Sequence, residues 1–353
     1  MSKISFNEIW LVMDSRQFGG IETHLLQLAI GLVKHRQQVR VWLTHRYANE
    51  SPLIAKLKDH QLDYGYLDDN HVQPLFQLIK LVKHYQPQVI HCHGYKASIL
   101  GKLTRSVTGV RQISTYHAGE TPTGRVKLYD WLDRYTAWFS SASIVVSQAI
   151  ANKLPCRTQH FNNFIDTDDL TFHHGSEIAF VGRLSREKAP HHFVQLARDF
   201  PEQGFHIYGD GPLSNELKQN VPNNLTFHGH QQQMNQVWAN VDVLIISSDF
   251  EGLPLVAIEA MARGINVIST AVGDIPTLID SPFNGLLVKD GLQLKEALKE
   301  YLAFSPDAIM ALRVNAANTI AKHYSCAHVI PNMLSLYAIS PFSDSQSDSQ
   351  FEN

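Results

Sequence analysis

Two basic and two acidic residues in the second half of the chain have side chains that could bind phosphate and hydroxyl groups. Arg183 and Lys188 lie in the segment GRLSREK, directly after a short apolar run. A diphosphate needs such cations, because arginine presents a fork of donors and lysine a compact charge. Glu251 and Glu259, with seven residues between them, follow another apolar run. Each pattern alone also fits a solvated surface segment.

The two glutamates are expected to occupy different kinds of structure. Glu251 precedes Pro254 and should lie on a loop, whereas Glu259 should lie about two turns into a helix that begins near Leu255. The N-terminus of such a helix can hold phosphate oxygens. Glu251 could then reach the hydroxyls of a sugar, and Glu259 could accept from a ribose diol.

A glycine pair in the first half stands before a predicted helix. Gly19 and Gly20 precede the amphipathic stretch Glu22–Lys34. Glycine allows close approach of the backbone to a ligand, and the helix N-terminus favours an anion. The pair lacks the GxGxxG and Walker A patterns, so a simple turn is an equal alternative.

Histidines follow two predicted strands of the first half. His117 comes directly after the run Gln112–Thr115, and His91 and His93 end another run. A single histidine is weak evidence for a site. Since no third ligand has suitable spacing, we expect no metal site at His91 and His93.

Short apolar runs alternate with amphipathic stretches through both halves, which predicts parallel sheets covered by helices. Ligands bind outside the carboxyl ends of strands in such sheets, where the residues above lie. The predicted strands are Glu8–Met13, Val39–Leu43, Gln88–Cys92, Gln112–Thr115, Ser143–Ser147, Glu177–Gly182, Phe205–Gly209, Leu225–Gly229, Asp242–Ser247 and Ile265–Thr270.

The predicted strands divide into two series, and so predict two doubly wound Rossmann-like α/β domains. A polar stretch at 167–176 places the domains at residues 1–167 and 168–319. A C-terminal helix at about 320–338 is expected to pack back on the first domain. The tail at 340–353, rich in Ser, Asp and Gln, is expected to be disordered.

Composition narrows the class of protein. The three cysteines form no zinc or disulfide pattern, the first residues do not read as a signal peptide, and no apolar run approaches a membrane span. We therefore expect a cytoplasmic protein.

The two halves of the chain differ in net charge. Residues 1–167 contain 19 basic and 12 acidic residues, a net charge of +7, whereas residues 168–353 contain 11 basic and 21 acidic residues, a net charge of −10. Such asymmetry favours an anionic partner for the first half.

Several short motifs occur in a recognisable order along nearly the whole chain. They are GGIETHL at 19–25, HCHG at 91–94, STYHAGE at 114–120, IVVSQAI at 144–150, FVGRLSREK at 180–188, IYGDGP at 207–212, FHGH at 227–230 and EGLPLVAIEAMARGINVIST at 251–270. Together they resemble the retaining GT-B glycosyltransferases of family 4, also called glycosyltransferases group 1. The resemblance implies a GT-B fold, with its two domains facing a central cleft.

The resemblance implies a role for each matching residue. Arg183 and Lys188 match the diphosphate-binding pair, and Glu259 matches the ribose ligand. Glu251 and His117 match the catalytic residues at the donor sugar. The remaining donor contacts that it implies are Gly19, Gly20, Asp210, Gly211, His230, Gly252, Leu253, Pro254, Leu255, Val256.

The function implied is retaining, metal-independent transfer from a nucleotide sugar, either a UDP-sugar or GDP-mannose, with no cofactor. The acceptor would be a glycan or a lipid-linked glycan in bacterial surface polysaccharide or lipopolysaccharide synthesis. Two alternatives stay open, a non-catalytic nucleotide-sugar-binding subunit and a GT-B nucleotide-sugar epimerase. Only the basic first half favours a nucleic-acid partner, and none is expected.

The basic first half suits peripheral contact with anionic lipids at the inner face of the cytoplasmic membrane. The candidate cations are Lys96, Lys102, Arg105, Arg111, Arg125, Lys127 and Arg134. An aromatic segment at 123–139 could lie at the interface, but a helix there is expected to pack its aromatics on the sheet.

Overall fold

The computed structural model describes residues 4–68, 73–117, 125–168, 170–172 and 174–339. The chain forms two compact units, residues 1–161 with 326–353 and residues 162–325. The first boundary thus lies at 161 and not at 167. The reason is that Ile165 is buried in the core of the second unit and pairs with Ser325 at that unit's other end. The disordered tail predicted at 340–353 lies outside the described residues.

The first unit contains a parallel sheet in the order β3-β2-β1-β4-β5-β6-β7. Every residue of β1, IWLVM, is buried, as expected for a strand covered on both faces. β1 and β4 are neighbours, so the winding of the chain reverses between them, where such sheets bind ligands. The strands are Ile9–Met13 (β1), Val39–Leu43 (β2), Asp63–Tyr66 (β3), Val89–His93 (β4), Gln112–Tyr116 (β5), Ala142–Val145 (β6) and Gln159–His160 (β7).

Local signals begin and end the helices of the first unit. Ser51 accepts a hydrogen bond from the Leu53 N–H at the start of α2, and Gly109 ends α4 in the left-handed conformation. The helices are Gly20–Lys34 (α1), Pro52–Asp59 (α2), Pro74–Tyr85 (α3), Tyr95–Thr108 (α4), Arg125–Tyr135 (α5) and Gln148–Ala151 (α6).

The second unit contains a parallel sheet in the order β10-β9-β8-β11-β12-β13. β8 and β11 are neighbours at its switch point. The strands are Glu177–Val181 (β8), Phe205–Tyr208 (β9), Leu225–Gly229 (β10), Val241–Ile246 (β11), Asn266–Thr270 (β12) and Leu286–Val288 (β13). The helices are Pro190–Asp199 (α7), Ser214–Leu217 (α8), Met234–Asn240 (α9), Leu255–Ala262 (α10), Ile275–Leu278 (α11), Leu294–Leu302 (α12) and Pro306–His323 (α13).

The two-series α/β architecture is confirmed, but β3, β7 and β13 were not predicted. β3 reads DYGY, β7 has two exposed residues and β13 has three residues. Segments this short carry no usable alternation, and only pairing with a neighbouring strand defines them.

The last helix, Cys326–Leu336 (α14), packs on α1 within the first unit. Gly31 makes this possible, because a β-carbon there would lie 2.7 Å from the Ile330 side chain. The continuous helix predicted at 320–338 is wrong in its bounds. The helix is interrupted at Tyr324 and Ser325, and the helix before this interruption, α13, belongs to the second unit.

Candidate active site

Two strand-end loops of the second unit lie side by side because β8 and β11 are neighbours. The backbone N–H groups of Asp249 and Phe250 donate to the carbonyl of Glu187 at 2.9 and 3.2 Å. The Ser247 hydroxyl donates to the Lys188 carbonyl at 3.1 Å. These bonds hold the GRLSREK loop against the loop that carries Glu251.

Lys188 and Glu251, predicted to serve a diphosphate and a sugar, form one ion pair. Lys188 Nζ donates to both carboxylate oxygens, at 2.5 and 2.7 Å. Ser248 Oγ donates to Oε1 at 2.7 Å. The Glu251 side chain is 8% exposed and that of Lys188 27%, so the carboxylate is buried and the ammonium group reaches solvent. The ammonium group and the Ser248 hydroxyl together compensate for the burial of the carboxylate.

The loop from Gly252 to Val256 leads into α10. Leu253 is buried, and its carbonyl accepts from Asn163 Nδ2 at 2.6 Å. The Gly252 carbonyl accepts from the Asp274 N–H at 3.0 Å. Pro254, the residue before the helix, has no side-chain acceptor to cap the first N–H groups of α10. The helix start is thus fixed in place with donors suited to an anion.

Glu259 is the fifth residue of α10, little more than one turn from its start, so the predicted depth of two turns is wrong. Its Oε2 accepts a hydrogen bond from Trp238 Nε1 at 3.3 Å. The side chain is half-buried.

The loops after β8 and β9 touch through glycines. A β-carbon on Gly209 would lie 1.8 Å from the Gly182 carbonyl oxygen, and one on Gly211 would lie 2.5 Å from that of Leu184. The Leu184 N–H donates to the Asp210 carbonyl at 3.0 Å. The glycines of IYGDGP therefore seat the loop that begins with Gly182.

The other predicted residues of these loops differ in how accessible they are. Arg183 and His230 are exposed. The Asp210 carboxylate accepts from the Gly211 N–H at 2.7 Å and from the Ser214 hydroxyl, and so closes its own turn.

The glycine pair of the first unit begins α1, but a carboxylate already binds there. Glu22 Oε2 accepts from the Gly19 N–H at 3.1 Å. Burial raises the pKa of Glu22, although hydrogen bonds oppose this rise. A β-carbon on Gly20 would meet open space. The prediction that N–H groups here are free for an anion is therefore wrong for Gly19.

His117 lies in a cluster with His93 and His24. His93 Nδ1 and His117 Nε2 are 3.1 Å apart, and the His24 ring centroid lies 4.8 Å from that of His117. Burial, followed by the neighbouring imidazoles, lowers the pKa of both His93 and His117 well below the usual range. The sequence offers no third ligand at a suitable spacing from His91 and His93, whereas the fold brings His24 and His117 next to His93. His24 lies within the GGIETHL motif. The only signal for its role is its position on the buried face of α1.

His91, one of the two histidines of HCHG, is structural. Its Nδ1 lies 2.6 Å from the Tyr337 hydroxyl and its Nε2 2.6 Å from Thr115 Oγ1. Burial lowers its pKa to about 3. Both ring nitrogens are therefore occupied by the packing of α14 and β5 on β4.

A cavity of about 250 Å³ lies in the first unit beside the histidines. Its polar lining includes Asp14, whose carboxylate accepts from Lys96 Nζ at 2.5 Å, from the Tyr47 hydroxyl at 2.6 Å and from Thr44 Oγ1 at 2.9 Å. His93 and His117 also line it. The cavity thus offers imidazoles together with an organised carboxylate, a combination suited to a hydroxylated ligand.

Two expectations about the surface of the first unit are wrong. Lys102, one of the proposed lipid-binding cations, is buried and donates to Asp133 Oδ1 at 2.6 Å. The aromatics of the 125–139 segment do not all pack on the sheet, since Trp131, Tyr135 and Trp138 are 51%, 58% and 63% exposed.

Both halves of the chain match known sequence families. The model described as Glycosyltransferase Family 4 matches residues 18–168, and the one described as Glycosyl transferases group 1 matches residues 175–303. The chain belongs to this family of glycosyltransferases. The order of motifs from GGIETHL to EGLPLVAIE thus reflects membership, and the predicted enzyme class is confirmed.

Relatives of this glycosyltransferase include UDP-Gal:alpha-D-GlcNAc-diphosphoundecaprenol alpha-1,3-galactosyltransferase of Escherichia coli, at 26% identity over 62% of the chain and 66% of the relative. The D-inositol 3-phosphate glycosyltransferase of Mycolicibacterium smegmatis is 24% identical over 91% of the chain and 86% of the relative. HepE of Anabaena, solved with UDP, has a TM-score of 0.79 at 17% identity, over 94% of this chain and 99% of that chain. The last likeness establishes the GT-B fold.

None of the helices in the described ranges has both the length and the apolar character needed to cross a bilayer.

Proposed function

We propose that this glycosyltransferase transfers a sugar from a nucleotide-sugar donor with retention of anomeric configuration and without a metal cofactor. The Lys188–Glu251 pair carries the proposal. It brings a solvent-reaching ammonium group and a buried carboxylate to the carboxyl ends of β8 and β11, where doubly wound sheets bind ligands.

The residues of this site suit the departure of a diphosphate. Arg183 and Lys188 supply positive charge, and the start of α10 supplies N–H donors, so the charge on the leaving oxygen is stabilised as it forms. In the proposed front-face reaction, the acceptor hydroxyl forms its bond to the anomeric carbon on the face from which the diphosphate leaves. The hydroxyl proton passes to a phosphate oxygen. Glu251 and His117 orient the sugar, and Glu259 binds the ribose.

The relatives support a donor and an acceptor class. The Escherichia coli relative is named for UDP-galactose and a diphosphoundecaprenol-linked sugar, and HepE was solved with UDP. A second relative, from Escherichia coli, is named as the O-antigen biosynthesis glycosyltransferase WbnH. We therefore propose a UDP-sugar donor before GDP-mannose, and a glycan or lipid-linked acceptor in surface polysaccharide synthesis.

A panel of nucleotide sugars, screened by thermal shift, tests the donor. A donor present at 100 times its Kd raises the free energy of unfolding by about 2.7 kcal/mol. Turnover with the best donor and an undecaprenol-diphosphate-linked sugar should give a product whose anomeric configuration, read by NMR, matches the donor. An inverted product contradicts the mechanism. Epimerised donor formed without acceptor contradicts the transfer reaction.

We also propose that α5 and the turn after it contact an anionic membrane. Trp131, Tyr135 and Trp138 are more than half exposed, and amphipathic aromatic rings are typical of membrane interfaces. Lys127 is exposed on the same helix, whereas the Arg134 side chain pairs with Asp130. The aromatic rings therefore carry this proposal more than the charge does.

Flotation with vesicles that contain anionic lipid tests the membrane contact. The double variant Trp131→Gln, Trp138→Gln should lose most of the bound fraction. Phe76→Gln is the matched control, since Phe76 is 65% exposed on α3 of the same unit. Equal binding by both variants and the wild type would place the contact elsewhere.

A further inference from the structure

The fold brings three histidines from distant parts of the sequence together. His93 is the last residue of β4, and His117 follows β5, the strand paired with β4 in a register that sets His93 opposite Thr115. His24 comes from α1, which follows β1, the other neighbour of β4. The three side chains therefore meet at the carboxyl edge of three adjacent strands.

The distances approach those of a metal site. One ring nitrogen from each histidine lies within 4.8 Å of the others, and the His93–His117 pair is at 3.1 Å. A tetrahedral cation with Zn–N bonds of about 2.0–2.1 Å separates its ligand nitrogens by about 3.4 Å. The widest pair is thus at most about 1.4 Å farther apart than in a tetrahedral site, a gap on the scale of small changes in side-chain torsions.

His93 also has an unsatisfied polar atom. Its side chain is 1% exposed, and its Nε2 has no hydrogen-bond partner among the described residues. Buried polar atoms in native proteins are nearly always satisfied, and a bound water or ion is one way to satisfy such an atom. This Nε2 is a different atom from the Nδ1 that faces His117, so the His93 ring has one nitrogen directed at the cluster and a second without a partner among the described residues. The neighbouring His91 has both nitrogens satisfied.

We propose that His24, His93 and His117 bind a divalent cation of borderline softness, such as Zn²⁺, and that the bound cation inhibits sugar transfer. Three imidazoles suit zinc, cobalt or nickel, whereas magnesium and calcium prefer oxygen ligands. The cavity beside His93 and His117 gives the cation access and provides room for a water molecule as the fourth ligand.

Inhibition rests on the proposed function, in which His117 contacts the donor sugar. A ring nitrogen that is bonded to a cation has no lone pair for a sugar hydroxyl, and the cation would fix the ring in one orientation. The cation therefore blocks a reaction that does not need it.

Titration of the full-length protein with Co²⁺ tests the site by visible absorption. We expect one Co²⁺ per chain with the intense d–d bands of four- or five-coordinate cobalt, and displacement by Zn²⁺. His24→Gln and His93→Gln should each weaken binding at least tenfold. His60→Gln, an exposed histidine of the same unit, is the matched control and should bind like the wild type. Equal titration curves for His93→Gln and the wild type would overturn the site.

A second measurement uses only the wild-type protein, in case a variant fails to fold. Proton NMR of the cobalt form should show hyperfine-shifted, exchangeable N–H signals from three imidazoles. Signals from fewer than three would overturn the ligand set.

The inhibition has its own test. Zn²⁺ should reduce the transfer rate in step with occupancy, and EDTA should restore it. His24→Gln, compared with its own metal-free rate, should need at least tenfold more Zn²⁺. Stoichiometric binding with an unchanged rate would overturn inhibition alone. Absence of transfer with every donor would instead contradict the proposed function, and the cobalt spectrum would still decide the site.

Discussion

Each unit contains a short lysine–carboxylate ion pair, and the two pairs differ in their surroundings. In the first unit Lys102 and Asp133 are 2.6 Å apart, with side chains 4% and 6% exposed. In the second unit Lys188 and Glu251 are 2.5 Å apart, but the lysine is 27% exposed. Lys102 also donates to the Tyr116 hydroxyl and the Asp133 carbonyl, whereas Lys188 lies on a strand-end loop.

The difference distinguishes a buried structural pair from the pair that we propose to bind the donor. Burial lowers the pKa of Lys102 and raises that of Asp133, against the effect of their pairing, so desolvation dominates there. All of the lysine's donors are directed at groups of its own unit. Lys188 keeps solvent access, and a bound anion can share its charge. Ion pairs of nearly equal length thus differ in exposure and position, and only the second is accessible to a ligand.

The largest expected effect is on the buried pair. Lys102→Met should lower the free energy of unfolding by about 3–5 kcal/mol, because it leaves a buried carboxylate without its cation. Chemical denaturation measures the loss. Adding Asp133→Leu should recover much of it, since the unpaired charge is then removed. A loss below about 1 kcal/mol would contradict a structural role for the buried pair.

Lys188→Met should affect catalysis more than stability. We expect kcat/KM to fall by about 10²–10³-fold, the usual cost of removing one donor to a developing charge, with about 1–2 kcal/mol lost in unfolding. Initial-rate kinetics with the donor found by screening measure this. Lys295→Met is the control, since Lys295 is 51% exposed and pairs with Asp199. A fall under tenfold would remove Lys188 from the site.

Two glycines, Gly211 in the second unit and Gly20 in the first, differ in the space around their α-carbons. Gly211→Ala should cost about 2–4 kcal/mol of unfolding free energy, because its β-carbon would contact the Leu184 backbone at 2.5–2.8 Å. Gly20→Ala meets open space at the start of α1 and should change stability by about 1 kcal/mol or less, in the stabilising direction. Thermal unfolding measures both. If Gly20→Ala nevertheless lowers the transfer rate, Gly20 is needed for ligand binding and not for folding.

A modest effect is expected at Asp14, and it depends on pH. Burial alone would raise the pKa of Asp14, but hydrogen bonds from Lys96, Tyr47 and Thr44 outweigh it and the pKa is lowered. The ionised carboxylate therefore contributes stability above its ordinary pKa of about 4. This contribution disappears as the pH falls through the lowered value. Asp14→Asn should lose about 1–2 kcal/mol at pH 7 and show a shallower decline below pH 4. Equal slopes would contradict the assignment.

The position of the candidate site in the second unit, at the carboxyl ends of its strands, was predictable from sequence. Its residues lie in contiguous motifs directly after strands, and the ends of adjacent parallel strands meet at one edge of a sheet. The pairing of Lys188 with Glu251 was not predictable, because it depends on β8 and β11 being neighbours although they are 60 residues apart in the chain.

The sequence by itself determined the alternation of strands and helices, the two-domain α/β class and the family, since periodicity and ordered motifs are local properties. Only the tertiary structure decided that His24, His93 and His117 meet, that Lys102 is buried, that Trp131 and Trp138 are exposed, and that α14 returns to the first unit. These features depend on which strands pair and which helix face meets the sheet. Packing of the whole chain sets both, and no local pattern encodes them.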